Sequence, residues 1–383
     1  MPAPSYPKNP WSRICLDFPE VSLLFNVSML FKVSVLFVVG LLLLGSCTSS
    51  KPNVQIQTFS GQTMGTTYMV KIALAAEDKS LPTAAQLDSV LEQVNASLST
   101  YQTESLLSRF NRCTKCYKVD SMIIRNFSAS QEVHRASAGA FDPSVYPLVQ
   151  AWGFGPQPRS AIPDSATVRS LLGLVGLSRF QLKGDSLCKE VPAQALDFSA
   201  VAKGYGVDVL GWFLESLGLH DYLVEIGGEV RARGERSPGQ MWTVGVEKPI
   251  DDPSGTQRAI LIQLPLHNLS MASSGNYRNF FVHKGQKMAH TLQVSSGYPT
   301  PTDVLAATVI TQDCMMADAY ATACMALGWD RAVKMLEMKP EIHAILIGSL
   351  PNPTKDEPYR LYATQSLRQE PFYQDWVAGQ RSK

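Results

Sequence analysis

No stretch of this chain concentrates charge of one sign. Lys and Arg number 34 against 33 Asp and Glu in 383 residues, a formal net charge of +1. No basic run interleaved with aromatics occurs, so neither the balance nor the pattern points to a nucleic-acid partner. Also missing are GxSxG and HExxH, which removes the common serine-hydrolase and zinc-protease signatures, and GxGxxG and the P-loop, which removes the usual nucleotide cradles. No internal repeat and no low-complexity segment is present. Charged residues make up 17% and hydrophobic residues 45%, a globular composition long enough for one large domain or two smaller ones.

Cysteine is sparse, with seven residues. Cys113 and Cys116 have CxxC spacing, but there is no second CxxC to complete a zinc site. The pair is therefore expected to form a local disulfide, as in an oxidising compartment.

The N-terminus carries a targeting pattern. From Met29, Lys32 supplies a positive charge, Val33 to Leu44 a short apolar run, and Leu44-Gly45-Ser46-Cys47 resembles a lipobox whose cysteine receives lipid. Residues 1–46 are read as a signal peptide with the true start at Met29, and 47–54 as a lipidated tether. The apolar run is shorter than the roughly 20 residues of a spanning helix. Adding Leu23 to Met29 lengthens it, so a transmembrane anchor is the competing reading.

Beyond the tether, alternation marks strands at 54–57 and 66–74, a short apolar run marks one at 222–226, and 242–247, 259–264, 307–311 and 342–347 also read as strands. Leu87, Val90, Val94 and Leu98 share one helical face, and Ile123, Ile124, Phe127 and Val133 mark a second helix. Asp164, Ser199 and Asp313 stand where they would cap three more, ending near Leu172, Leu217 and Leu327. Strands and helices mix without a regular βαβ period, so the fold class is α+β. The main domain is placed at 55–348, with 349–383 as an irregular C-terminal extension holding one possible strand at 359–363.

Three segments carry chemistry. Asp318 and Thr322, four apart on an otherwise apolar helix, put a carboxylate and a hydroxyl on one face, hard oxygen donors suited to Mg²⁺. A buried carboxylate there needs a partner; a solvated helix face is the alternative. Asp197 lies just before a helix start and Lys203 one turn inside, where free N–H groups and an ammonium can meet an anion; a plain capped helix is the alternative. Gly227-Gly228 follows a strand, where backbone can approach a ligand or simply turn.

Read in order, the segments cohere: Met64-Gly65-Thr66-Thr67-Tyr68; Leu98-Ser99-Thr100-Tyr101; Ser108-Arg109-Phe110-Asn111; Gly139-Ala140-Phe141-Asp142-Pro143; Trp152-Gly153-Phe154-Gly155; Asp197 to Asp208; Glu225-Ile226-Gly227-Gly228-Glu229; Ser273-Ser274-Gly275-Asn276-Tyr277; His290-Thr291-Leu292; Gly297-Tyr298-Pro299; and Ala317-Asp318-Ala319-Tyr320-Ala321-Thr322. This series, over about 55–348, resembles the ApbE family of FAD:protein FMN transferases.

The resemblance implies an α+β domain related to the T-fold, a mixed sheet with helices and a flavin-binding cleft. It implies that Met64, Tyr101 and Ala140-Phe141-Asp142 contact FAD, with Asp197 and Lys203 along its adenosine and diphosphate side. The Ala200 carbonyl, Asp318 and Thr322 would hold Mg²⁺, and His290, beside the reacting phosphate, would be the general base. The implied reaction transfers the FMN half of FAD to a Ser or Thr hydroxyl of an extracytoplasmic acceptor and releases AMP. An enzyme anchored through Cys47 in the bacterial cell envelope, on the periplasmic side, would meet such an acceptor at the membrane. Two departures stand out. The Asp-Pro pair that commonly follows the family's histidine is Gln293-Val294 here, and a second carboxylate sometimes found three residues before the aspartate is Met315. Hydrolysis of FAD to FMN and AMP, a non-enzymatic flavin-binding lipoprotein, and an interaction protein without nucleotide are the competing readings.

Overall fold

Eight strands build the central sheet. They are β1 (Gln55–Thr63), β2 (Thr66–Leu74), β3 (Tyr222–Ile226), β4 (Glu229–Arg233), β5 (Leu269–Gly275), β6 (Val304–Thr311), β7 (His343–Gly348) and β8 (Arg360–Ala363). In the computed structural model they form one sheet whose spatial order is the chain order, every neighbouring pair antiparallel. The structure describes residues 54–74, 80–157, 162–249, 259–276, 280–283, 286–289, 291–299, 303–354 and 358–381. The signal peptide, Cys47, Tyr277 and His290 lie outside these residues. Among them, no helix is long and apolar enough to cross a membrane.

Both faces of the sheet are covered, which is why β3 is apolar at nearly every position. Tyr222, Val224 and Ile226 point to the side packed by α1 (Ala84–Leu98) and, further on, α6 (Ala202–Ser216). Leu223 points the other way, with Val230, Ala232, Met271 and Ile310, toward Trp242, Ile262 and Leu264 of a small sheet. The helices between are α2 (Leu106–Arg112), α3 (Ser121–Ala136), α4 (Tyr146–Trp152) and α5 (Ser165–Leu172). After α6 come α7 (Cys314–Leu327), α8 (Trp329–Glu337), α9 (Gln365–Arg368) and α10 (Pro371–Arg381). Alanines along α7 let it lie between the sheet and its helical neighbours with Ala317, Ala319, Ala321 and Ala323 fully buried.

The architecture is the expected mixture of helix and sheet, with instructive differences. Strands β4 and β5 are not among the strands expected from sequence; in β4, Glu229 and Arg231 are buried against ionic partners. The segment after Pro351 is more regular than expected: α10 docks on the small sheet through the Trp376 indole N–H, which donates to the Leu261 carbonyl at 3.1 Å.

The cysteine pairing also differs. Cys116 bonds Cys188, not Cys113. Helix α2 ends at Arg112, and Cys116 opens a short strand that pairs with Ser186–Lys189, placing Cys116 directly opposite Cys188. Cys113 stays behind at the end of the helix as a free, half-buried thiol.

Candidate active site

Two helix starts meet face to face, and the contact is possible only because one of them carries a glycine. A Cβ at Gly204, in the first turn of α6, would lie 2.4 Å from the Cys314 carbonyl oxygen and 2.9 Å from Asp318 Cβ. With the backbones this close, each helix caps the other. The Gly204 N–H donates to Asp318 Oδ2 at 3.1 Å. The Cys314 and Met315 N–H groups donate to the two oxygens of Asp208, at 3.0 and 2.9 Å. The caps expected from Ser199 and Asp313 are therefore not formed by those side chains: α6 and α7 have no side-chain cap from their own preceding residues. Ser199 turns its N–H and hydroxyl to Asp197 instead.

Asp208 is fully buried and also receives Arg231 Nη1 at 2.9 Å. Burial dominates its titration and raises its carboxyl from 3.8 to about 6, against the opposing pull of the Met315 and Cys314 N–H groups and Arg231.

Around Asp318 lies a compact ionic cluster. Asp318 is 2% exposed and Glu229 is 3% exposed. Between them stands Lys203, whose Nζ is 2.8 Å from Glu229 Oε1 and 3.6 Å from Asp318 Oδ2. Burial raises the Glu229 carboxyl from 4.5 to about 7, with Lys203 opposing and Asp318 reinforcing the rise. For Lys203 burial works downward, but the charges of Asp318 and Glu229 outweigh it and hold the ammonium above its ordinary value. Glu229 Oε2 has no hydrogen-bond partner. One turn beyond Asp318, Thr322 Oγ1 shares a hydrogen bond of 3.2 Å with Ser274 Oγ of β5.

These residues suit a hard divalent cation. Asp318 and Thr322 share a helix face. The Gly204 N–H, whose ordinary helical acceptor would be the Ala200 carbonyl, is given to Asp318 instead. Two buried carboxylates against one ammonium, with one oxygen orphaned, leave negative charge that a cation would compensate.

A second group surrounds Asp197, just before α6. Half-buried Asp197 is pushed up by burial, opposed by Ser199. Its charge, added to burial, raises the phenols of exposed Tyr101 and half-buried Tyr146. The Tyr101 hydroxyl reaches the Phe154 carbonyl at 3.5 Å. Asn111 fixes the approach to Asp197: its side chain bonds both the N–H and the carbonyl of Leu196, each at 2.8 Å. Lys189, 3% exposed, donates to the carbonyls of Asn111, Pro192 and Gln194.

The remaining candidates are placed unevenly. Met64 sits at the β1–β2 turn in the left-handed region at φ 51°, its Cε against Gly206 of α6. Of the Ala140-Phe141-Asp142 run, Ala140 lines a cleft of about 260 Å³ with Gly139, Gln293, Val294, Ser295 and Arg331. Phe141 is in the core, and Asp142 accepts from the Ser144 N–H and hydroxyl and from the Leu177 N–H. Gln293 and Val294, standing where the resemblance expects Asp-Pro, thus line the same cleft as Ala140. Glu229, Asp208, Ser274, Asn111 and Lys189 had no assigned role from sequence. The available signal for Glu229 was its position directly after Gly227-Gly228; for the rest, partners distant in the chain supply the meaning.

Comparison with known proteins places the chain in a family. Residues 64–346 match a family model described as the ApbE family. An FAD:protein FMN transferase of Vibrio cholerae is 34% identical over 334 residues, spanning 86% of this chain and 96% of that protein. Among solved structures, flavin transferase ApbE from Vibrio cholerae superimposes with a TM-score of 0.74 at 31% identity, covering 82% of this chain and 99% of that one. The apo form of the Pseudomonas stutzeri flavinyl transferase ApbE gives 0.72 at 30% identity, covering 84% and 98%.

Proposed function

The chain belongs to the ApbE family and is a flavin transferase, and from that premise we propose that it moves the FMN half of FAD onto a Ser or Thr hydroxyl of an exported acceptor protein, releasing AMP. The observation that carries the detail is the Asp318 junction: a buried carboxylate that caps a helix start and a hydroxyl one turn on, next to an ammonium.

Asp318, Thr322 and the Ala200 carbonyl would hold Mg²⁺, which when bound neutralises charge on the diphosphate as the P–O bond weakens. Lys203 adds a fixed positive charge on the same side and favours the diphosphate over neutral competitors. Asp197, with Tyr101 and Tyr146 nearby, orients the nucleoside. His290 accepts the proton of the acceptor hydroxyl. A new O–P bond forms on the riboflavin-side phosphorus, and the bond between the two phosphates breaks with AMP as the leaving group.

Lipid attachment at Cys47 and a place on the periplasmic side of the envelope complete the proposal. The Cys116–Cys188 disulfide supports an oxidising compartment. Replacement of Cys47 by Ala should release the protein from membranes; retention would instead mean a spanning segment.

Mass spectrometry of a candidate acceptor co-expressed with this chain tests the reaction. A gain of one FMN that depends on the chain is expected. Rapid FMN and AMP release from FAD with no acceptor present would make it a hydrolase. FAD left intact after long incubation with Mg²⁺ and acceptor would make it a flavin carrier.

A further inference from the structure

Lys203 has two buried carboxylates within reach and lies closer to the one that the proposed chemistry does not use. It hydrogen-bonds Glu229 Oε1 at 2.8 Å and stands 3.6 Å from Asp318 Oδ2. The inequality follows from what each carboxylate has besides Lys203. Asp318 already accepts the Gly204 N–H. Glu229 is equally buried, its Oε2 has no partner, and Lys203 is the only side chain that bonds it among the described residues. Moving the ammonium to Asp318 would leave the buried Glu229 carboxylate without a side-chain partner, which costs more than a stretched contact at Asp318. The turn geometry supports the placement. Gly227 holds φ 60°, and a Cβ there would lie 2.9 Å from Thr66 Cγ2 and 3.5 Å from Glu229 Oε2, so side-chain-free backbone lets Glu229 sit at the root of β4 facing α6.

We infer that Glu229 is a positioning residue that parks the Lys203 ammonium away from Asp318, keeping the Asp318 carboxylate available to a divalent cation. This rests on the reading of Asp318 as a cation ligand. Without the park, the ammonium would close from its 3.6 Å ion-pair distance to a direct hydrogen bond with Asp318 and compete with the cation for the same oxygen. Glu229 therefore governs cation affinity through Lys203, neither binding the cation nor touching FAD.

The test is a double-mutant cycle read by Mn²⁺ binding, followed by electron paramagnetic resonance of the free ion, on the mature full-length protein with and without FAD. Glu229→Gln should weaken Mn²⁺ on the order of tenfold. Without FAD, whose diphosphate Lys203 also meets, Lys203→Met should bind Mn²⁺ at least as tightly as wild type, because the competitor is gone. The decisive point is the pair: Glu229→Gln added to Lys203→Met should change nothing further. If the loss persists in the Lys203→Met background, Glu229 acts by its own charge or as a ligand, and the inference is overturned. Wild-type affinity in Glu229→Gln overturns it as well. Glu229→Asp keeps the charge and shortens the arm, so it should also weaken Mn²⁺; it serves if the glutamine variant does not fold, and an unchanged affinity in it contradicts parking. Asp318→Ala separates the two layers. If it binds Mn²⁺ like wild type, the cation reading itself fails, whereas a loss there with additive Glu229 and Lys203 effects sinks the parking alone.

Discussion

Asp318 and Asp208 each cap the helix that carries the other. Asp318, on α7, receives the N–H of Gly204 in the first turn of α6, while Asp208, one turn further along α6, receives the first two N–H groups of α7. The exchange locks two helix starts in one register. It places the proposed cation ligand within a rigid hydrogen-bonded frame, where a shift of either helix would break bonds at both ends.

Replacing Asp318 should separate chemistry from folding. Asp318→Asn keeps an oxygen for the Gly204 N–H and should retain near-wild-type stability, yet lose divalent-cation-dependent turnover by more than about a hundredfold. Asp318→Ala should lose turnover equally and about 1 kcal/mol of stability with the cap. Steady-state kinetics and urea denaturation measure both; full activity in either variant would remove the cation assignment.

Asp208 should give stability a distinctive pH dependence. Its folded-state value of about 6 lies above the ordinary 3.8, so the folded protein holds this proton more tightly. The benefit is complete below about 4 and is lost as pH rises through about 6. Relative to Asp208→Asn, the wild type should therefore lose stability between pH 4 and 7, by up to roughly 3 kcal/mol. Urea melts of both proteins across that range check the sign, and a difference that grows in the opposite direction would refute it.

At Gly204, helix propensity and packing pull apart. Alanine is favoured in a helix by about 1 kcal/mol, but its Cβ would sit 2.4 Å from the Cys314 carbonyl. Overpacking against backbone should win, and Gly204→Ala should be destabilised by about 1–3 kcal/mol and weakened in cation binding. A stabilised variant in thermal melts would mean that the helices can part freely.

Reduction of the disulfide should be felt as lost stability. Cys116→Ser or Cys188→Ser should cost about 2–4 kcal/mol, while Cys113→Ser should be nearly silent. Peptide mapping without reductant should recover Cys116 linked to Cys188; a Cys113–Cys116 peptide would contradict the pairing.

What the sequence alone determined was whatever repeats at short range or stands in a recognisable series. Period-two alternation located β1 and β2, and short apolar runs located β3 and much of β6 and β7. The four-residue spacing of Asp318 and Thr322 put them on one helix face, and the ordered segments from Met64 to Thr322 carried the family. Only the tertiary structure decided which charges are paired. The sequence gives no sign that Glu229 and Arg231 of β4 are buried, because an ionic partner 26 residues away at Lys203, or 23 away at Asp208, leaves no local trace. The caps of α6 and α7 were sought in Ser199 and Asp313, since capping is ordinarily local. They came instead from residues more than a hundred positions distant, 114 in one case and 106 in the other. The cysteine pairing was misjudged for the same reason: spacing along the chain favoured Cys113, but strand register, set by hydrogen bonds between Cys116–Lys118 and Ser186–Lys189, delivered Cys188. Local patterns encode which element forms; bonds between elements exist only once the chain has folded.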